Sequence, residues 1–255
     1  MPNVNADTEN SSAARGPDIV YEDGDFLVLN KPAGLVVHSD GRTKESTLAE
    51  WVLLRYPTLK DVGGLHTLDN ERYTERGGIL HRLDRETSGI VLVAKHDEAF
   101  YFLQRQFLDR SIKKTYKAFV HGIPLPEQGS IELPIGRSRS DFRKWATPPD
   151  ARGTLRPATT EYRVMSSAQN ICLVECKPKT GRTHQIRVHM AAIGHPLVSD
   201  KRYGGAPALG FDRLALHAES LEIELPSGGR QQFSAPYPPD FSHALETVTL
   251  GLQNP

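Results

Sequence analysis

The sequence predicts an α+β fold built on a mostly antiparallel sheet. Three observations carry this. Segments with strand patterning outnumber helical ones. The strands come in runs instead of alternating one for one with helices. Only three stretches hold apolar residues at helical spacing. A chain of 255 residues, 38% hydrophobic and 24% charged, can bury a substantial core.

Taken in order, residues 1–17 have the composition of a disordered tail, which leaves 18–255 as the folded unit. "DIVYEDGDFLVLNKPAGLVVH" reads as two strands joined by an acidic Asp-Gly-Asp turn, with Lys31-Pro32-Ala33-Gly34 breaking the second. "STLAEWVLLRYP" reads as a helix capped by Ser46 or Thr47 and ended by Pro57. The Gly-rich, polar "DVGGLHTLDNERYTERGG" is a loop, and "GIVLVAK" a buried strand. In the helix "HDEAFYFLQRQFLDR", Phe100, Leu103, Phe107 and Leu108 form one apolar stripe. "IKKTYKAFVHG" alternates as a strand, and "GSIELPIG" is a short one. Residues 137–157 read as a long irregular loop. "ATTEYRVMSS" and "NICLVECKP" make a hairpin about Ala168–Asn170. "TGRTHQIRVHMAAIGHP" is a turn entering a helix, and "LALHAESLEIELP" and "QQFSAPYP" are the terminal strands.

Several function classes lose their support. No apolar run approaches the roughly 20 residues that span a bilayer, and the N-terminus lacks the apolar middle of a signal peptide, so a cytoplasmic protein, monomeric by default, is expected. Cys172 and Cys176 lie four apart in one strand, where they share a face but are too distant to bond, so both are expected as buried free thiols. There is no Walker loop, no Gly-x-Ser-x-Gly elbow and no Gly-x-Gly-x-x-Gly. "HRLD" echoes the kinase catalytic loop, but Leu83 interrupts His-Arg-Asp and no asparagine follows at the needed offset. His184 and His189 are five apart and would diverge on a helix, so no metal site is expected.

The net charge is zero, but its distribution is uneven. Residues 100–203 hold 18 Lys+Arg and 8 Asp+Glu, a balance of +10; the remainder holds 13 and 23, a balance of −10. Two blocks dominate the basic part, "RSRSDFRKW" and "KPKTGRTHQIRVH". Such segregation suits a polyanionic partner.

Candidate chemistry centres on "GILHRLDRETSGIVLVAK". Thr87-Ser88-Gly89 turns the chain into the buried strand, which places Asp84 at that strand's start, partly desolvated. A carboxylate there needs a cation partner. On this stretch alone an aspartate capping the Ser-Gly turn is the simpler reading. Arg187, at the border of a helical face made by Ile186, Met190 and Ile193, could reach an inward carboxylate. Tyr116 shares a strand face with Ala118 and Val120 and points inward, as a core residue or as a platform for a base.

Taken together, these blocks resemble the RluA-type family of RNA pseudouridine synthases from about Asp18 to Pro238. "NKPAGLVVH", "HRLDRETSGIVLVAK", "KKTYKAFVHG" and "KTGRTHQIRVHMAAIGHPLVSDKRYGG" match in the family's order. The resemblance implies a central mixed, mainly antiparallel sheet flanked by helices and loops, with an RNA-binding cleft. It implies conversion of uridine to pseudouridine in ribosomal or transfer RNA without metal or organic cofactor. It makes Asp84 the catalytic aspartate, Arg187 its ion-pair partner and Tyr116 the residue against the target uracil. Arg82 is expected to help fill the space of the flipped-out nucleotide. His81 and Arg85 beside it, Arg137, Arg139, Arg143 and Lys144 in the first basic block, and Arg182 and His184 in the second are the expected RNA contacts. The loop before the catalytic block and residues 137–156 are expected to clamp RNA from two sides and to be mobile in the free protein. Many relatives carry an N-terminal S4 domain, for which the 17 residues before Asp18 are too few. The competing readings are a non-catalytic RNA-binding or chaperone protein of the same fold and a metal-dependent nucleic-acid enzyme.

Overall fold

The computed structural model describes residues 16–39, 45–67 and 73–251. All but the last two residues of the expected tail lie outside them. The chain opens with a hairpin, β1 (Asp18–Glu22) and β2 (Phe26–Lys31), whose turn is held by Asp23 Oδ1 accepting the N–H groups of Asp25 and Phe26, both at 2.8 Å. Helix α1 (Leu48–Arg55) starts at a capping box: Thr47 Oγ1 accepts from Glu50 N–H, and the Glu50 carboxylate accepts from Thr47 N–H. Such a cap contributes about 1 kcal/mol. A 3-10 turn over Pro57–Leu59 follows, where the side chain of proline cannot continue an α-helix.

After the short ribbon β3 (Leu65–Thr67) and β4 (Tyr73–Glu75) come β5 (Ser88–Ala94), α2 (Asp97–Leu108) and β6 (Lys113–His121). Then follow β7 (Gln128–Ile131), β8 (Ile135–Ser138), β9 (Trp145–Ala146), β10 (Ala151–Arg156), β11 (Thr160–Ala168) and β12 (Ile171–Pro178). Helix α3 (Gln185–Ala192), strands β13 (Leu216–Glu224) and β14 (Arg230–Ser234) and helix α4 (Pro239–Gly251) complete the fold.

Among the described residues nine strands form one sheet in the order β1-β2-β5-β13-β6-β12-β11-β7, with β14 also on β13. Strand β13 joins two halves. One edge pairs with β6; the other pairs with β5 at His217–Ala218 and with β14 from Ser220 to Glu224. The β5–β13 contact is parallel and the other pairings of this sheet are antiparallel among the described residues, so the sheet is mixed and mainly antiparallel.

Both faces of both halves are covered, which explains why β5 is buried along its whole length. In the first half, Leu48, Ala49 and Val52 of α1 pack on Leu27, Leu29, Val91 and Val93. On the opposite face Phe26, Val28, Ile90 and Leu92 pack with Leu103, Ile223 and Phe233. In the second half, Ile186 and Met190 of α3 cover Ala118, Val120 and Val174, together with Cys172 and Cys176, which are free, buried and on one strand face as expected. Phe241, Ala244 and Val248 of α4 cover Phe119, Ile171 and Leu173 behind them. Each such side chain contributes roughly 1.5–3 kcal/mol relative to exposure.

The structure corrects several expectations. Residues 137–157 are not an irregular loop: β8, β9 and β10 form a small three-stranded sheet of their own. "GSIELPIG" spans parts of two strands, β7 and β8. The loop before the catalytic block contains the β3–β4 ribbon, and its residues 68–72 lie outside the described ones. Leu108 is 72% exposed, because the buried face of α2 runs through Ala99, Phe100, Leu103 and Gln106 on the other side. Helix α4 was not anticipated.

Candidate active site

The strand starts converge at the seam. Gly89, at φ 115°, lets β5 lie against β13: a Cβ there would stand 2.2 Å from the Ala218 carbonyl oxygen. The turn just before it is fixed through its backbone. Thr87 N–H donates to the Asp84 carbonyl at 3.1 Å, and the Arg85 carbonyl accepts from Gly34 N–H at 2.8 Å. The Arg85 carbonyl also accepts from Lys31 Nζ, which donates to the Pro32 and Leu35 carbonyls as well. Lys31 is fully buried, and burial first, then the Arg213 charge, pushes its pKa down to about 7. Its three donated bonds nevertheless require the protonated amine. Arg213 donates to the Glu86 carbonyl while gripping Asp240 of α4 with two bonds. With its backbone held from both sides, the Asp84 carboxylate is not the cap of the turn.

It points instead at α3. Arg187 Nη1 donates to Asp84 Oδ2 at 3.0 Å. The same guanidinium donates through Nε and Nη2 to Asp200, at 2.8 and 2.9 Å. Burial opposes the charge of Arg187, but the Asp200 and Asp84 carboxylates outweigh it, and its pKa is raised. Asp200 is 1% exposed and is held in turn by the N–H groups of Arg202 and Tyr203. The ring of Tyr203 lies under Arg187, with Cζ 5.0 Å from its centroid.

His184 stands at the N-terminus of α3 with φ 56°. Its Nδ1 lies 2.9 Å from Tyr203 Oη, which also accepts from Trp145 N–H at 3.1 Å. The His184 Nε2 lies 3.8 Å from Asp84 Oδ1. Burial is the main cause that lowers the His184 pKa to about 4, so the ring is neutral at neutral pH.

Asp84, Arg187, Tyr116, Arg82, Arg182 and His184 all line one cavity of about 150 Å³, together with Lys114, Leu83 and Leu216. Tyr116 sits on the seam, packing against the cores of both sheet halves. Burial, and then the Asp84 charge, raises the pKa of its phenol, which stays protonated. Arg82 is exposed at the mouth. Lys114, two residues before Tyr116 on β6, donates to the Thr180 carbonyl at 3.2 Å, and burial pushes it down to about 8. The cavity therefore combines one carboxylate, a shared guanidinium, an aromatic wall and a cationic rim. Among the described residues no group of three His, Cys, Asp or Glu side chains could hold a metal.

Other expected contacts are placed elsewhere. His81 does not line the cavity: its Nε2 accepts the Leu92 N–H at 3.1 Å and its ring packs on Phe107, so it anchors β5, with a pKa lowered to about 3 by burial. Arg85 is tied to Glu45 at 2.6 Å. Arg137, Arg139, Arg143 and Lys144 lie on and around the β8–β9 turn. Arg137 stacks on Trp145, at 4.3 Å. Asp200, Tyr203 and Lys31 were missed as functional candidates, although all three fall inside blocks that carried the resemblance.

Residues 25–192 match the family model described as RNA pseudouridylate synthase. The chain is 38% identical over 232 residues to the uncharacterized RNA pseudouridine synthase YlyB of Bacillus subtilis (strain 168), covering 91% of this chain and 72% of that protein. It is 39% identical over 247 residues to the ribosomal large subunit pseudouridine synthase D of Zymomonas mobilis, covering 93% and 74%. Among solved structures, human RNA pseudouridylate synthase domain containing 1 superposes with a TM-score of 0.70 at 27% identity, covering 97% of this chain and 98% of that one. Human RNA pseudouridylate synthase domain containing 4 does so with a TM-score of 0.69 at 26% identity, covering 91% and 92%. The chain belongs to the RNA pseudouridylate synthase family. It is an isomerase that converts uridine to pseudouridine in RNA.

Proposed function

We propose that Asp84 is the catalytic carboxylate of this isomerisation and that the substrate is a uridine in large-subunit ribosomal RNA. The observation that carries the first part is the 3.0 Å Arg187–Asp84 pair in a cavity walled by Tyr116. The second part is supported by the relatives named for the ribosomal large subunit, at 39% identity in Zymomonas mobilis and in Neisseria meningitidis.

The N1–C1′ bond breaks, the uracil turns while held, C5 bonds to C1′, and the proton on C5 is lost while N1 gains one, so the product is an isomer of the substrate. The carboxylate of Asp84 attacks C1′, removes a sugar proton to give a glycal, or attacks C6 of the base; the three routes place it at the same nucleoside. Arg187 pairs with the carboxylate and fixes its direction, and Tyr116 forms the wall against which the detached base rests. The target base has to leave its stack to reach the cavity, and Arg82 fills the space it vacates. Residues 18–255 act as one catalytic domain, monomeric and cytoplasmic.

Asp84→Asn is expected to abolish pseudouridine formation while leaving RNA affinity within about threefold, since only one cavity-facing charge changes. Full activity in the variant would remove Asp84 from the mechanism. Pseudouridine mapping of RNA from cells with and without the protein should show loss at large-subunit positions; loss confined to transfer RNA would overturn the substrate assignment.

A further inference from the structure

The turn between β8 and β9 displays a side chain that the cavity does not use. Phe142 is 72% exposed at its tip. Single exposed apolar residues are ordinary, and Leu54, Leu108 and Leu125 are such cases. Phe142 differs in being a π-face set among cations on a fixed backbone. Ser138 N–H donates to the Lys144 carbonyl at 3.0 Å and Lys144 N–H to the Asp141 carbonyl at 2.9 Å. Ser138 Oγ accepts the N–H groups of Ser140 and Asp141. Arg137 Nη1 donates to the Phe142 carbonyl at 3.3 Å, so the backbone at the ring is itself gripped. The Arg143 guanidinium, paired through two bonds with Asp141, lies 5.9 Å from the Phe142 ring centroid.

The base of this turn is bolted to the active site. Trp145 N–H donates to Tyr203 Oη, which bonds His184 beside Asp84. Arg202 Nη1 donates to the Arg143 carbonyl at 3.2 Å, while Arg202 N–H holds Asp200, the second partner of Arg187. A ligand resting on Phe142 therefore sits at a set distance from Asp84. An aromatic face flanked by cations is the arrangement on which unpaired bases stack, with the cations meeting the phosphates on either side.

We propose that Phe142 is a stacking platform for an unpaired base of the substrate RNA near the target uridine. Arg139, Arg143 and Lys144 meet its backbone, and Tyr203 and Arg202 fix its offset from Asp84. The proposal rests on the RNA-modifying reading and adds a second point of base recognition outside the cavity.

The test measures affinities of wild type, Phe142→Ala and Phe142→Trp at one salt concentration. The two probes are a 12-nucleotide oligouridylate and an abasic ribose-phosphate chain of equal length. Phe142→Ala is expected to weaken oligouridylate binding roughly tenfold, to leave the abasic chain within about twofold and to keep the salt slope, which counts phosphates. Phe142→Trp is expected to match or exceed wild type. Unchanged oligouridylate affinity in Phe142→Ala, equal losses on both probes, or no wild-type binding to oligouridylate would each overturn the stacking site. Failure of the RNA reading itself looks different: wild type would then form no pseudouridine in total cellular RNA.

Discussion

Arg187 divides one guanidinium between two carboxylates, and the division is unequal. Asp200 takes two bonds in a nearly dry site, while Asp84 takes one and faces the cavity. Asp200 therefore sets where Arg187 points, and Arg187 sets where Asp84 points. Asp200→Asn keeps the shape but removes the buried charge that balances Arg187. Displacing a reacting group by about 1 Å costs on the order of 100-fold in rate. The variant is expected to lose roughly 10- to 100-fold in kcat with little change in KM, and about 2–4 kcal/mol of stability. Single-turnover kinetics and urea unfolding check this; an unchanged kcat would show that Asp200 serves the fold alone. That Asp84, Arg187 and Tyr116 would meet in one cavity was legible because each falls at a matched position of an ordered set of motifs. Asp200 was not singled out, because a buried aspartate acquires meaning only once folding brings it to the helix that holds Arg187. His81 was misplaced for the converse reason: its neighbours in sequence face the cavity, while its ring turns back to the β5 backbone.

At the scale of the element, β6 serves two faces. Tyr116 lines the cavity, and the next residue, Lys117, points to the opposite side, where it meets Glu175 of β12 at 2.9 Å and Glu219 of β13 at 3.5 Å. Arg163 and Lys177 also pair with Glu175. Part of the basic excess in residues 100–203 is thus spent on holding strands together and not on RNA. Burial acts against ionisation of Glu175, but the hydrogen bonds from Lys117 and Lys177 outweigh it and bring the pKa to about 2, from an ordinary value of 4.5. A depressed folded pKa means stability that is complete above about pH 4.5 and lost as pH falls through about 2. Glu175→Gln is expected to unfold more easily at neutral pH by about 1–3 kcal/mol, with the gap to wild type closing between those two values. Urea titrations of both proteins across that range measure it, and a pH-independent gap would rule out the charge as its source. Strands with clear alternation and the Thr47-capped helix were readable locally. The β8–β10 sheet was not, because its strands are two to six residues long and hold arginines and glycines in place of an alternating apolar pattern. Helix α4 did leave a signal, with Phe241, Ala244 and Val248 at i, i+3 and i+7, that passed unread.

Across the whole molecule, the candidate active site exists because two sheet halves meet at β13. Asp84 precedes a strand of one half, Tyr116 belongs to a strand of the other, and Arg187 reaches in from the helix covering the second. The fold class was legible from the runs of strands. The strand order was not, since the parallel β5–β13 contact brings together residues more than 120 apart in sequence, Ser88 and His217. That contact depends on one missing side chain. At Gly89 an added Cβ would meet the Ala218 carbonyl oxygen at 2.2 Å, and the positive φ disfavours any other residue independently. Backbone lines the far side of the clash, so relief requires β5 to withdraw from β13. The turn carrying Asp84 would withdraw with it, while Arg187 stays with Asp200. Gly89→Ala is therefore expected to lower the melting temperature by roughly 5–15 °C and to reduce kcat even at temperatures where the variant is fully folded. Gly24→Ala is the control: its Cβ would meet nothing within 4 Å, and it should melt within a degree or two of wild type. Melting curves and pseudouridine formation by both variants decide the matter. A Gly89→Ala protein as stable and active as wild type would mean that the two halves tolerate separation at the seam, and that the position of Asp84 is set by α3 rather than by the sheet.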